Sequence, residues 1–263
     1  MMHDQGEEGK SANARAAPFK DHFSGHARAY ASARPTYPPE LFAWLAGLAP
    51  RRALAWDCAT GNGQAARMLA THFARVIATD ASAEQITNAV PDPRIEYRVA
   101  AAEAPGLHAN SVDLVAIAQA VHWLDRPRFY AAARTALVPK GLIAVWSYGL
   151  FTLDPNMDCV IGDFYDDEIG PWWPPERRLI DERYRTLEFP FTEIETPKFR
   201  MHKSWTLDQV LAYLGTWSAV QRYRRAKGHD PLAAITPELE RLWGKQARRE
   251  VVWPLYLRVG RNT

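Results

Sequence analysis

The apolar run Leu54-Ala55-Trp56 ends in Asp57, passes through Cys58-Ala59-Thr60 into Gly61-Asn62-Gly63, and continues into the helix-forming Gln64-Ala65-Ala66. No other stretch restricts the fold as much. Glycine at 61 and 63 lets the backbone take φ > 0 and brings bare N–H groups close to a ligand that any Cβ would hold away. About twenty residues on, a second apolar run, Arg75-Val76-Ile77-Ala78-Thr79, ends in Asp80, the position from which a carboxylate can accept hydrogen bonds from a ribose. Strand, tight turn, helix, strand and acid together predict a βαβ unit that binds a nucleoside-containing cofactor.

Which nucleoside is a separate question, because Gly61-x-Gly63-x-x-Ala66 also fits the loose dinucleotide fingerprint. Two details favour S-adenosylmethionine. Asp57 sits inside the motif at the carboxyl end of the strand, where it can meet the ammonium of an amino-acid moiety and where a pyrophosphate would gain nothing from an anion. No second nucleotide-type loop follows. A nicotinamide cofactor, and an ordinary glycine turn without a ligand, stay open as alternatives.

Residues 1–17, rich in Gly, Glu, Ala and Ser, are expected to be a disordered tail. Pro38-Pro39-Glu40 opens an amphipathic helix through Leu41, Phe42, Leu45 and Leu48. Strands are expected at 53–58, 75–79, 95–99, 112–118 and 142–148, separated by helices at 64–73, 82–89 and 126–137. Ser82-x-x-Gln85 reads as a capping box. Alternating strands and helices imply a parallel, doubly wound sheet with ligands at the carboxyl ends of the strands. From Phe151 the alternation stops: helices are expected at 153–168 and 175–184, a strand at 199–205, a capped helix from Thr206 and a last strand at 251–259.

The segments Phe23 to Pro38, Trp56 to Ala66, Val76 to Gln85, Ser111 to Trp123 and Gly141 to Tyr148, with a looser match at Thr216 to Ala219, resemble class I S-adenosylmethionine-dependent methyltransferases of the type 11 group. Within that group the chain is similar to the branch that includes trans-aconitate methyltransferase-like proteins. The resemblance implies an α/β fold: a doubly wound, Rossmann-like methyltransferase sheet of seven strands, the last antiparallel, with a helical cap inserted after the fifth strand. It divides the chain into the tail 1–17, a cofactor-binding core with an amino-terminal lid at 18–150, and a helical cap plus final strands at 151–263. One departure stands out: the family usually has glycine where this chain has Ala59, which alanine tolerates if its φ is negative.

For the cofactor, Asp57, Ala59, Gly61 and Asn62 are expected around the methionine part, Asp80 at the ribose and Ala81 beside the adenine. By resemblance, Ala102 and Glu103 follow at the adenine, the Gln119 backbone lies close by, and Tyr30 and Arg34 reach over from the lid. Glu103 also reads as a helix-start acid, and the lid as simple packing of the first helix. His122 is the candidate catalytic group, able to accept a proton or hydrogen-bond the acceptor, or else only to shape its loop. Tyr37, Trp123, Trp146, Tyr148, Trp172 and Trp217 join it as candidate substrate contacts, because aromatic walls suit a desolvated transfer site. Trp205, Trp243 and Trp253 read as core.

The net charge of +2 is too small to imply nucleic acid, and the basic clusters Arg222 to Lys227 and Lys245 to Arg249 read as solvated helix faces. The segment after the fourth strand, Ala118-Gln119-Ala120-Val121, lacks the Asn/Asp-Pro-Pro-aromatic pattern of base-amine methylation. Cys58 and Cys159 have no metal-ligand spacing, and no metal is implied. No apolar run approaches the roughly 18 residues that span a bilayer, and the polar start carries no secretory core, so a cytoplasmic location is expected. These readings converge on methyl transfer to a small-molecule acceptor, a carboxylic acid being the first candidate. A non-catalytic cofactor-binding protein and a nicotinamide-dependent oxidoreductase are the alternatives.

Overall fold

The computed structural model describes residues 35–263. Five strands run parallel: β1 Leu54–Cys58, β2 Arg75–Asp80, β3 Ile95–Val99, β4 Val112–Ala118 and β5 Leu137–Tyr148. Their order in space is β3-β2-β1-β4-β5, continued by the antiparallel β8 Arg249–Arg261 and then β6 Thr192–Ile194. The amino-terminal half of β8 extends beyond this sheet and pairs with β7 Arg200–Trp205, while the other half, residues 255–261, pairs with β5. The described chain therefore has eight strands where seven were expected. The extra one arises because a single long strand serves two partners along its length.

β4 shows why the sheet is covered on both sides. Every residue from Val112 to Ile117 is buried, with Leu114 and Ala116 in one apolar cluster and Val112, Val115 and Ile117 in the other. Alternate side chains point to opposite faces, so a strand buried throughout needs two covers, and its one acid, Asp113, is satisfied by the Ala53 and Leu54 N–H groups. One is α1 Pro39–Leu48 with α2 Gln64–Leu69, through Leu41, Phe42, Leu45, Ala65 and Leu69; the other is α4 Arg126–Ala136, through Phe129, Ala133 and Ala136. Between α2 and α4 lies α3 Ala83–Thr87. Each fully buried large apolar side chain is worth about 1.5–3 kcal/mol.

Helix α2 stops four residues short of the expected Phe73, in a turn where the Thr71 hydroxyl caps the Met68 carbonyl. At α3 the Ser82 hydroxyl accepts from the Gln85 N–H at 3.3 Å, one half of the anticipated box. Thr206 forms both halves with Gln209 at the start of α7 Leu207–Gly215. The insertion after β5 comprises α5 Pro155–Asp163, one wider turn at Phe164–Glu168, short turns, and α6 Arg178–Asp181. A second helical group, α7, α8 Ser218–Lys227 and α9 Leu232–Trp243, lies between β7 and β8. Trp205, Trp243 and Trp253 are core residues, as expected. Among the described residues no helix is long and apolar enough to cross a membrane.

Candidate active site

The carboxyl ends of β1 and β2 meet at the glycine turn. Asp57 pairs in register with Ala78 and Cys58 with Thr79, so the two strands deliver their terminal acids to the same edge. Gly61 and Gly63 have φ of +57° and +82°. A side chain on Gly63 would collide with the Tyr97 ring, its ideal Cβ lying 2.3 Å from the hydroxyl. The turn is locked from the neighbouring strand: Asp80 accepts from the Gly61 N–H at 2.8 Å and from the Ser82 N–H at 2.9 Å. Gln64 donates to the Pro35 carbonyl at 2.9 Å and so ties the segment before α1 to the turn.

Ala59 corrects an expectation. Its φ is +54°, in the left-handed region where a Cβ costs roughly 1–2 kcal/mol, so the residue carries strain that the family's glycine would avoid. The turn geometry overrides residue preference here, because Thr60 must donate its N–H to the Thr79 carbonyl at 2.9 Å.

Asp57 is buried, and its Oδ2 accepts from the Thr60 hydroxyl at 2.5 Å while the Ala66 N–H acts on the carboxyl more weakly and Oδ1 makes no full hydrogen bond among the described residues. Burial pushes this carboxyl up to about 7, against the pull of the Thr60 hydroxyl. A buried carboxylate oxygen without a donor is costly, so the position fits a ligand that brings one, such as an ammonium. Cys58, buried between the acids, has its thiol pushed up first by burial and then by the charges of Asp57, Glu103 and Asp80, which places all three carboxyls around the end of β1. Glu103 also accepts from the Asp125 N–H at 3.1 Å. Ala102 is buried beside it, Ala81 is exposed and Asn62 is half-buried. The two acids and the glycine turn between them thus stand together at one edge of the sheet, with the Gly61 N–H held by Asp80 and the Gly63 N–H by the Thr60 carbonyl.

A cavity opens between the sheet edge and the cap. Gln119, immediately after β4, lines it with a backbone φ of +57° that turns the chain away from the strand. His122, Trp123, Tyr148 and Trp217 line it as well, four of the expected substrate contacts. His122 is buried, its Nδ1 is 2.8 Å from the Tyr184 hydroxyl, and burial, then the charges of Arg177 and Arg126, lowers its pKa to about 3. It is therefore neutral at any physiological pH. The Tyr184 phenol, fully buried, is pushed far above its ordinary value and stays protonated.

Other expected contacts lie elsewhere. Trp146 has no exposed surface; it packs edge-on against Tyr37 and Phe42 and belongs to the core beneath the wall. Its position in the middle of the paired stretch of β5, opposite Leu257, explains this. Tyr37 packs on Trp146 and Tyr148 and borders a separate open groove with Lys198 and Arg200. Trp172 packs on Tyr223, and its neighbour Trp173 takes the place on the cavity wall. Tyr30, Arg34 and the tail 1–17 fall outside the described residues.

The structure also brings in groups that the sequence did not single out. Arg177, from the turn before α6, lines the cavity, and Tyr213 of α7 closes it. Tyr184 follows α6 in a turn where Arg183 and Tyr184 both have positive φ, +58° and +56°. Nothing local in the sequence marks them, since each is defined by what it meets across the cleft.

Residues 56–145 match the methyltransferase domain family. A Dictyostelium discoideum protein provisionally named a methyltransferase is 33% identical over 247 residues, covering 91% of this chain and 94% of its own. An uncharacterized methyltransferase of Mycobacterium tuberculosis is 32% identical over 188 residues, 70% of each chain. Among solved structures, one from Anaeromyxobacter dehalogenans, provisionally named a type II methyltransferase, superposes with a TM-score of 0.83 at 46% identity, covering 87% of this chain and 98% of that one. With the glycine turn, the paired acids and the sheet order already in place, these likenesses identify the chain as a member of the class I S-adenosylmethionine-dependent methyltransferase family.

Proposed function

We propose that this enzyme transfers the methyl group to a small-molecule acceptor held in the cavity under the cap, with a carboxylic acid as the first acceptor class. The observation that carries this reading is the position of Gln119. It lies two residues beyond Ile117, which pairs with Cys58 at the cofactor edge, and its side chain lines the cavity. The glycine turn and the cavity are thus adjoining compartments.

When bound, S-adenosylmethionine supplies a methyl already activated by its sulfonium, so the protein needs to align a nucleophile and exclude water. Asp57 Oδ1 would accept from the amino-acid ammonium, Asp80 would take the ribose hydroxyls, and Ala81, Ala102 and Glu103 would border the adenine. Ala59, Gly61 and Asn62 would complete the methionine end; Tyr30 and Arg34, outside the described residues, are assigned to the cofactor by resemblance alone.

His122, with its basicity lowered to about 3, is a poor proton acceptor. It orients the acceptor by a hydrogen bond while Tyr184 fixes its ring. An acceptor that arrives already ionised, as a carboxylate does at neutral pH, needs no base. The narrower resemblance to trans-aconitate methyltransferase-like proteins supports the same class. Trp123, Tyr148 and Trp217 keep the site dry.

Calorimetric titration with S-adenosylmethionine, S-adenosylhomocysteine and NADH in parallel tests the cofactor site. Binding of the first two without the third is expected, and binding of NADH alone would overturn the assignments at the glycine turn. A screen of small di- and tricarboxylates for methyl ester formation tests the acceptor; no ester across the panel removes the carboxylic acid.

A further inference from the structure

We propose that Arg177 is an anion clamp: it binds a carboxylate or phosphate group of the acceptor that is distinct from the atom methylated. The inference rests on the reading of the cavity as the acceptor site and goes further, since it requires the acceptor to carry a second, anionic function.

The side chain of Arg177 is only 20% exposed. Its Nε donates to the Tyr165 hydroxyl at 2.7 Å, with Asp181 Oδ1 at 3.3 Å. The guanidinium lies over the Trp173 ring, 4.7 Å from its centroid, and 5.4 Å from that of Tyr165. These contacts fix the plane of the group and use one of its nitrogens. Nη1 and Nη2 make no hydrogen bond among the described residues, and neither is sealed from the cavity that Arg177 lines. A guanidinium has five donors in a rigid fork that matches the two oxygens of a carboxylate or phosphate, and leaving most of them unpaired in a largely buried place is unfavourable.

The rest of the wall points the same way. Among the described lining residues there is no aspartate, glutamate or lysine, and His122 is neutral, so Arg177 supplies the formal charge of the cavity. Asp181 balances it only from the Nε side. The Trp173 ring covers one face of the guanidinium, and the partial shielding from water strengthens a charged hydrogen bond there. The clamped oxygens are not the methyl acceptor, because lone pairs and charge drawn into two N–H bonds are less nucleophilic. Arg177 also belongs to the cap, whereas Gln119 at the sheet edge adjoins the cofactor turn. The acceptor thus spans the cavity, anionic end on the cap and nucleophilic end toward Gln119.

The test is calorimetry on the full chain, with and without saturating S-adenosylhomocysteine, titrating small di- and tricarboxylates, inorganic phosphate and the neutral amides of the same acids. At least one anion is expected to bind saturably while the amides do not, and the carboxylate and phosphate arms tell the two sources apart. Arg177→Met should weaken that binding by ~10-fold or more, and Arg177→Lys, which keeps the charge without the fork, should fall between. Asp181→Asn should tighten it, by removing the competing carboxylate. S-adenosylhomocysteine affinity should be unchanged in all three, which reports that the variants are folded. The clamp is overturned if no anion binds wild type, if Arg177→Met leaves anion affinity unmoved, or if Asp181→Asn weakens binding as Arg177→Met does. If S-adenosylhomocysteine does not bind but anion binding still depends on Arg177, the clamp stands and the acceptor reading falls.

Discussion

At the proposed cofactor end, two short stretches of chain, Asp57 to Gly63 and Asp80 to Ser82, hold one another by backbone N–H groups and a hydroxyl. At the acceptor end, His122, Tyr148, Arg177, Tyr213 and Trp217 come from separate segments and meet through aromatic faces and side-chain hydrogen bonds. The first end is a property of the backbone turn, which suits a cofactor common to a whole family. The second is a property of side chains on the cap, which can change without disturbing the turn. Family members can therefore share a methyl donor while differing in acceptor.

Asp80→Ala is the most damaging test of this division. It removes a carboxylate that accepts two charge-assisted hydrogen bonds, each worth about 1.5–3 kcal/mol, so cofactor affinity by calorimetry should drop ~100-fold or more, while anion binding in the cavity persists. Parallel loss of both would show that the compartments are not separable. From the other side, Tyr184→Phe leaves buried His122 Nδ1 without its partner, at a cost of about 1–3 kcal/mol, and should slow turnover roughly tenfold with S-adenosylhomocysteine affinity unmoved. An equal fall in cofactor affinity would break the comparison.

Protonation sharpens the comparison further. Asp57 is raised from 3.8 to about 7 by burial, so a cationic ammonium at Oδ1 should displace a proton. S-adenosylmethionine affinity should rise with pH through about 7 and then level off, and calorimetry near that pH in buffers of different ionisation enthalpy should detect proton release. Asp57→Asn should remove both effects. In the cofactor-free protein the raised pKa makes the Asp57 contribution to stability fall as pH climbs from about 4 to about 7. His122 works in the opposite sense: lowered from 6.5 to about 3, it stays neutral in the fold while the unfolded chain takes up a proton, so its contribution is lost as pH falls through that window. The smallest effect is expected at Ala59, where glycine should relieve the left-handed strain and raise stability by up to about 1 kcal/mol, read as a higher midpoint in urea. A lower midpoint would mean that the Cβ makes a contact worth more than the strain.

Much of the core was legible before the structure. The turn at Gly61 and Gly63 and the acids Asp57 and Asp80 at the ends of β1 and β2 could be located because apolar periodicity marks the strand ends and glycine marks the turn. Trp146 was misjudged because an aromatic residue in a strand looks the same from sequence whether it faces a cavity or lies beneath one. Trp172 and Trp173 differ by one position, and only the path of the cap assigns the second to the wall. Ala59 was misjudged because a hydrogen bond from Thr60 to the adjoining strand, not residue preference, sets its φ.

The sequence by itself determined the βαβ unit and the acids at its two strand ends, because glycine conformation and strand periodicity are local constraints; the methyl donor class came from the family resemblance. Only the tertiary structure decided that Tyr184 fixes His122, that Asp181 and Tyr165 hold Arg177, and that these groups share one cavity. Tyr184 lies 62 residues from His122 and Tyr165 lies 12 from Arg177, so packing joins pairs that no local pattern encodes, whereas Asp181 sits at the i+4 spacing of Arg177 that a helix would offer.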